Sequence, residues 1–196
     1  LFEVAEGVAY LHENSFIHGD LCGSNVLIDD AMHARLVGFG FLDVETANLF
    51  DYTETAVIAQ VREEIKHAGS IRWMAPEQFS NTPTRTFESD VFSFGRLCLE
   101  VGHSGCGYLW TTGFTFEIFP TQVFTLKQPY FDLEIGRPVI REVIEGRPPP
   151  RPSVGTFIPD EWWTLMLHCW EKDPSARPTM KDIINMLKGD LFKVEL

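Results

Sequence analysis

The chain has 196 residues, 44% of them hydrophobic, enough for one substantial core and a single domain spanning 1–196. Sixteen basic residues stand against 28 acidic ones, a formal net charge of -12, so the surface repels polyanions and nucleic acid is excluded as a partner. No run of 18 apolar residues occurs, and Leu1 to His12 carries no basic segment followed by an apolar stretch, so neither membrane spanning nor secretion is expected. Cys22, Cys98, Cys106 and Cys169 form no C-x-x-C pair, which excludes a zinc ribbon or a redox couple and fits reduced thiols in a cytoplasmic protein.

In chain order, Leu1, Val4, Ala5, Val8 and Leu11 repeat at helical spacing, and the predicted helix ends near His12 to Asn14. The runs Val26 to Ile28 and Ala34 to Val37, with Asp29-Asp30 between them, predict a small β-hairpin. Residues 38 to 72 read mostly as a long functional loop, with a helical stretch around Ala56 to His67. Ser89 and Asp90 are placed to cap a strongly apolar helix that runs to about Val101. Further helices are predicted at Pro138 to Glu145, Asp160 to Glu171 and Thr179 to Leu187, with Gly146 to Pro150 as a breaker. The expected fold is mainly α with one small hairpin.

The residues with most chemistry are His18-Gly19-Asp20-Leu21-Cys22-Gly23-Ser24-Asn25, a carboxylate and a carboxamide five positions apart on a loop before the hairpin. A carboxylate there can accept the proton of an attacking hydroxyl, and an amide oxygen five residues on can ligate a magnesium ion bridging phosphates. Taken alone, Asp and Asn in a loop also serve simply to satisfy turn amides.

The segment resembles the catalytic loop of protein kinases, H-R-D-L-x-x-x-N. Gly38-Phe39-Gly40 begins thirteen positions after Asn25, where that family has D-F-G, and Trp73-Met74-Ala75-Pro76-Glu77 resembles its A-P-E segment. Asp90-Val91-Phe92-Ser93-Phe94-Gly95 resembles the family's buried D-V-W-S-F-G helix. Cys169 to Pro174 with Arg177-Pro178-Thr179 resembles its closing C-W-x-x-D-P-x-x-R-P-T motif. The Trp73-Met74 pair and the closing motif are most similar to the tyrosine-kinase-like branch, and the His-Gly-Asp variant to its fungal members. The resemblance implies a kinase-like carboxy-terminal lobe, a helical bundle with the hairpin beside the catalytic loop. It also implies ATP and Mg2+ as cofactors and a protein as substrate or partner. Asp20 is then the base, Asn25 the metal ligand and cofactor contact, Glu77 and Arg177 a buried ion pair, and Asp90 with His18 a brace for the loop.

Departures from the family pattern bear on activity. Gly38 stands where the magnesium-binding aspartate is expected, and Asp43, five positions later, has no evident way to replace it. Cys22 occupies the place of a lysine common in serine/threonine members, and Gly19 that of the arginine that pairs with a phosphorylated loop, so Tyr52, Thr53 and Thr55 lose a receptor. No glycine-rich loop or strand lysine precedes Leu1, so the amino-terminal lobe is expected to be absent. Residues 102 to 122, rich in Gly, Thr and aromatics, interrupt the pattern as an insertion, either retained intron or a surface loop whose Tyr108, Trp110 and Phe114 bind a partner.

The expected function is therefore an impaired, pseudokinase-like binding module or fragment. The alternative is an active protein kinase whose amino-terminal lobe lies outside this chain. A third reading, a small-molecule phosphotransferase, shares the His18-Asp20-Asn25 spacing but lacks the Trp-Met-Ala-Pro-Glu and Arg-Pro-Thr features.

Overall fold

Helix α1 (Phe2–Glu13) buries Val4, Ala5, Val8 and Ala9, one stripe of a 3.6-residue repeat. It stops where Ser15 adopts a left-handed φ of 63°. The structure is a computed structural model, and it describes residues 1–38, the backbone of 43–44, and residues 70–80, 82–100, 128–151 and 158–189.

Strand β1 (Phe16–Ile17) follows, then a 3-10 turn (Gly23–Asn25), β2 (Val26–Ile28) and β3 (Ala34–Leu36). β2 and β3 pair antiparallel, with Leu27 opposite Arg35. Asp29 builds the turn between them: its Oδ1 accepts from the Ala31 and His33 amides, and its Oδ2 from Arg35 Nε at 2.8 Å. Glu3 fastens the hairpin to α1 by accepting from the Ala34 amide at 2.7 Å and pairing with His33. The Ala34 amide and then the His33 ring hold the Glu3 carboxyl below its ordinary range.

Two features differ from the sequence expectation. First, β4 (Asp43–Val44) pairs antiparallel with β1, putting one strand of a second two-stranded sheet within the stretch read as loop. Second, the apolar helix α2 (Phe87–Glu100) starts before Ser89, and neither Ser89 nor Asp90 is its N-cap. Thr86 takes that place: the Ser89 amide donates to Thr86 Oγ1 at 3.2 Å while the Thr86 amide donates to Ser89 Oγ at 2.9 Å, a reciprocal capping arrangement. Asp90 is thereby freed to face the interior.

Helices α3 (Arg137–Ile144), α4 (Asp160–Cys169) and α5 (Met180–Gly189) lie within two residues of their predicted bounds. α2 is buried along its length from Ser89 to Leu99 and packs on α4, while α1 packs on α5 and β3. Burying large apolar side chains such as Phe92, Phe94 and Leu97 contributes about 1.5–3 kcal/mol each. The helical stretch read at 56–67 and the inserted segment at 102–122 lie outside the described residues.

One core residue has no counterpart in the sequence reading. Arg96, on α2, is 1% exposed, and its guanidinium lies 4.4 to 4.9 Å from the ring centroids of Trp170, Tyr130 and Phe92. It donates to the Tyr130 hydroxyl at 2.8 Å, while Nε and Nη1 are buried with no hydrogen-bond partner among the described residues. Burial lowers its pKa to about 10, which still leaves it charged at neutral pH. A buried charge without a carboxylate is a poor source of stability. Arg96→Met is expected to be neutral or stabilising by about 1 kcal/mol in urea unfolding, and a loss beyond about 2 kcal/mol would contradict this.

Candidate active site

The loop from His18 to Asn25 joins the two small sheets, and buried side chains hold it at several points. The His18 ring is fully buried, with Nε2 3.0 Å from the Val37 carbonyl and Nδ1 accepting from the Asp20 amide at 3.3 Å. That pairing corresponds to the neutral tautomer with the proton on Nε2. Asp90, 1% exposed, reaches across from α2 and accepts from the His18 and Gly19 amides, both at 2.8 Å. His12, in the last turn of α1, stands 2.9 Å from Asp90 Oδ2 and stacks on Phe87. Three elements thus converge on one carboxylate.

Asp20 and Asn25 meet within this frame. Asn25 Nδ2 donates to the Asp20 carbonyl at 2.7 Å and to its carboxylate at 3.1 Å, and the Asn25 carbonyl accepts from the Val37 amide at 2.9 Å. These bonds orient the carboxamide, so that Oδ1 turns toward Gly38. Gly38 has a φ of +83°, a left-handed conformation. A β-carbon there would fall 2.4 Å from Asn25 Oδ1 and 2.5 Å from its Cγ. The Asn25 carboxamide fills the space that a side chain at position 38 would need.

This donor set does not fit a magnesium ion of the family type. Asn25 Oδ1 is one oxygen, Asp20 is engaged with the Asn25 amide, and residue 38 offers no carboxylate. Among the described residues no three His, Cys, Asp or Glu side chains are grouped to hold a metal. Asp43 contributes backbone to β4. Phe39 and Gly40, with Tyr52, Thr53 and Thr55, lie outside the described residues.

Cys22, beside Asp20, is 3.2 Å from Ser24 Oγ. Burial, reinforced by the charges of Asp20 and Glu100, pushes its thiol pKa up, so it is no ready nucleophile. Glu77 and Arg177, 100 residues apart, form a two-pronged ion pair at 2.7 and 2.9 Å, and Arg177 also donates to the carbonyls of Glu171 and Glu88. Arg72 ties the segment before Trp73 to the next loop through the carbonyls of Pro129, Tyr130 and Leu133. Reading the sequence missed His12, Arg72 and Glu100. The one available signal was Glu100 itself, an acid ending an apolar helix where the dipole disfavours it. A groove of about 540 Å³ between α1 and β3, lined among others by Glu3, Tyr10, His33 and Arg35, shares no residue with the Asp20–Asn25 site.

The model of the family described as protein tyrosine and serine/threonine kinase matches residues 1–187. Human receptor-interacting serine/threonine-protein kinase 1 is 28% identical over 93% of this chain and 24% of its own length. Human tyrosine-protein kinase Srms is 28% identical over 90% of the chain and 29% of its own. A probable LRR receptor-like serine/threonine-protein kinase of Arabidopsis thaliana is 30% identical over 96% and 16% respectively. The chain therefore spans less than a third of the length of these relatives. With the family match covering nearly all of the chain, it belongs to the protein tyrosine and serine/threonine kinase family.

Proposed function

We propose that this chain is the carboxy-terminal lobe of a kinase-family domain in which phosphoryl transfer is impaired, and that it serves mainly as a binding module for another protein. The observation that carries this reading is Gly38 itself, which offers no carboxylate where the family binds magnesium and whose missing side chain would fall on the Asn25 carboxamide. Members of the family use ATP and Mg2+. Transfer of this kind depends on positioning and charge neutralisation, and losing one preorganised electrostatic group costs about 100- to 1000-fold in rate.

The second reading, an active kinase, is favoured by the bonds that hold Asn25 to Asp20. In it, Asp20 accepts the proton of a protein hydroxyl while Asn25 fixes its loop. Both readings take a protein as partner or substrate. The tyrosine-kinase-like branch and a cytoplasmic location, with Cys22, Cys98 and Cys169 as buried free thiols, belong to the proposal. Among the described residues no helix is long and apolar enough to cross a membrane.

Transfer of the ATP γ-phosphate to a mixed protein acceptor, measured for the parent, Asp20→Ala and Gly38→Asp, separates the two. The parent and Asp20→Ala are expected at the same background. Gly38→Asp is expected to stay at that background too, because its β-carbon would fall 2.4 Å from Asn25 Oδ1, and to lose at least about 1–2 kcal/mol of stability to a side chain forced into a left-handed conformation. Transfer by the parent that Asp20→Ala reduces about 100-fold or more would restore the enzyme reading.

A further inference from the structure

The loop bearing Asp20 is gripped by α2 at two places. Asp90, in the first turns of the helix, accepts from the amides of His18 and Gly19. Glu100, at its last residue and about 15 Å further along its axis, accepts from the Gly23 amide at 2.7 Å. The same Glu100 oxygen accepts from the Trp73 indole Nε1 at 2.9 Å. One carboxylate therefore joins the loop to the segment that leads into Ala75-Pro76-Glu77.

The fit around it is tight. A β-carbon on Gly23 would fall 2.7 Å from the Glu100 carboxylate, so a side chain there would push the carboxylate away from the loop. Trp73 is 5% exposed, and its backbone carbonyl accepts from Ser93 Oγ on α2 at 2.9 Å, so the residue is tied to α2 through both its backbone and its indole. A negative charge on the last residue of a helix opposes the dipole, so Glu100 gains nothing from its place in the helix and is held by what it contacts.

We infer that Glu100 is a positioning residue that couples the Trp73 segment to the loop carrying Asp20, so that displacement of one is felt by the other. This rests on the Asp20 loop being the functional site. Its test reads backbone exchange without nucleotide, so a failure here is distinguishable from a failure of that reading.

Hydrogen exchange at the Gly23 amide and the Trp73 indole resonance, the latter identified by its loss in Trp73→Phe, are the two readouts. Glu100→Ala is expected to raise Gly23 exchange about tenfold or more and to shift the indole signal, because a charge-assisted hydrogen bond is lost. Glu100→Gln keeps an oxygen acceptor and is expected to stay within about threefold of the parent. Trp73→Phe is expected to alter Gly23 exchange in the parent and to have no such effect in Glu100→Ala. Should Glu100→Ala fail to fold, Glu100→Asp, which withdraws the carboxylate by one methylene, takes its place in the same comparison. Unchanged Gly23 exchange on losing the Glu100 contact, or an equal effect of Trp73→Phe in both backgrounds, overturns the inference.

Discussion

Arg177→Met is expected to lower the unfolding free energy by roughly 3–5 kcal/mol, measured by denaturant titration. The Arg177 side chain is fully buried and that of Glu77 is 18% exposed, so removing the cation leaves a carboxylate with little water to replace it. Two backbone carbonyls, of Glu171 and Glu88, lose their donor in the same step, and the Phe92 ring keeps only Arg96 of its two cations. The double variant Glu77→Gln/Arg177→Met should lose less than the sum of the two single changes, because each single change strands the other partner. Strict additivity, or a loss under about 1 kcal/mol for Arg177→Met, would show the pair to be energetically idle.

Asp90→Ala should cost roughly 2–4 kcal/mol, since it leaves the buried His18 amide and the half-buried Gly19 amide unpaired at about 1–3 kcal/mol for a fully buried one. The His12 contact goes with it. The damage is expected to concentrate in the loop: exchange at the His18 and Gly19 amides should rise more than at α4, which still packs on α2. Asp90→Asn keeps one acceptor oxygen but turns an amide donor toward a backbone donor, so it should fall between the parent and Asp90→Ala. A variant as stable as the parent, with unchanged exchange at His18, would remove Asp90 from any bracing role.

The two predictions also show which parts of the molecule were legible in the sequence. α1, α3, α4 and α5 announce themselves because their apolar residues repeat at helical spacing, and at the last three Gly or Pro also punctuates the ends. The β2–β3 hairpin is readable for the same local reason, with Asp29 at its turn. β1 and β4 are not: two-residue strands carry no alternation, and Phe16 meets Val44 only through the path of the chain between them. The start of α2 was misplaced because Ser89 and Asp90 are both good capping residues, and only the fold shows that Thr86 does the capping.

At the site, His18, Asp20 and Asn25 share eight consecutive positions, so their proximity is local. Asp90, Glu77 and Arg177 came into view through family resemblance alone, since no spacing rule links residues 70 to 100 positions apart. The resemblance also marked Gly38 as a departure. That the Asn25 carboxamide occupies the neighbouring space is a fact of three dimensions, and it changes what a reversion can do. Arg96 and Glu100 escaped the sequence reading because a single charge in an apolar helix carries no label saying what it faces.

The central claim is that the site cannot use magnesium to hold ATP, and calorimetry of ATP binding with and without Mg2+, on the parent and on Asn25→Ala, tests it most directly. The expected result is no magnesium-dependent gain in affinity in either protein, because among the described residues position 38 offers Asn25 Oδ1 no carboxylate and the Asp20 carboxylate is engaged with the Asn25 amide. A gain in the parent that Asn25→Ala abolishes would contradict the claim, and would mean that Asn25 holds the metal without a carboxylate at position 38.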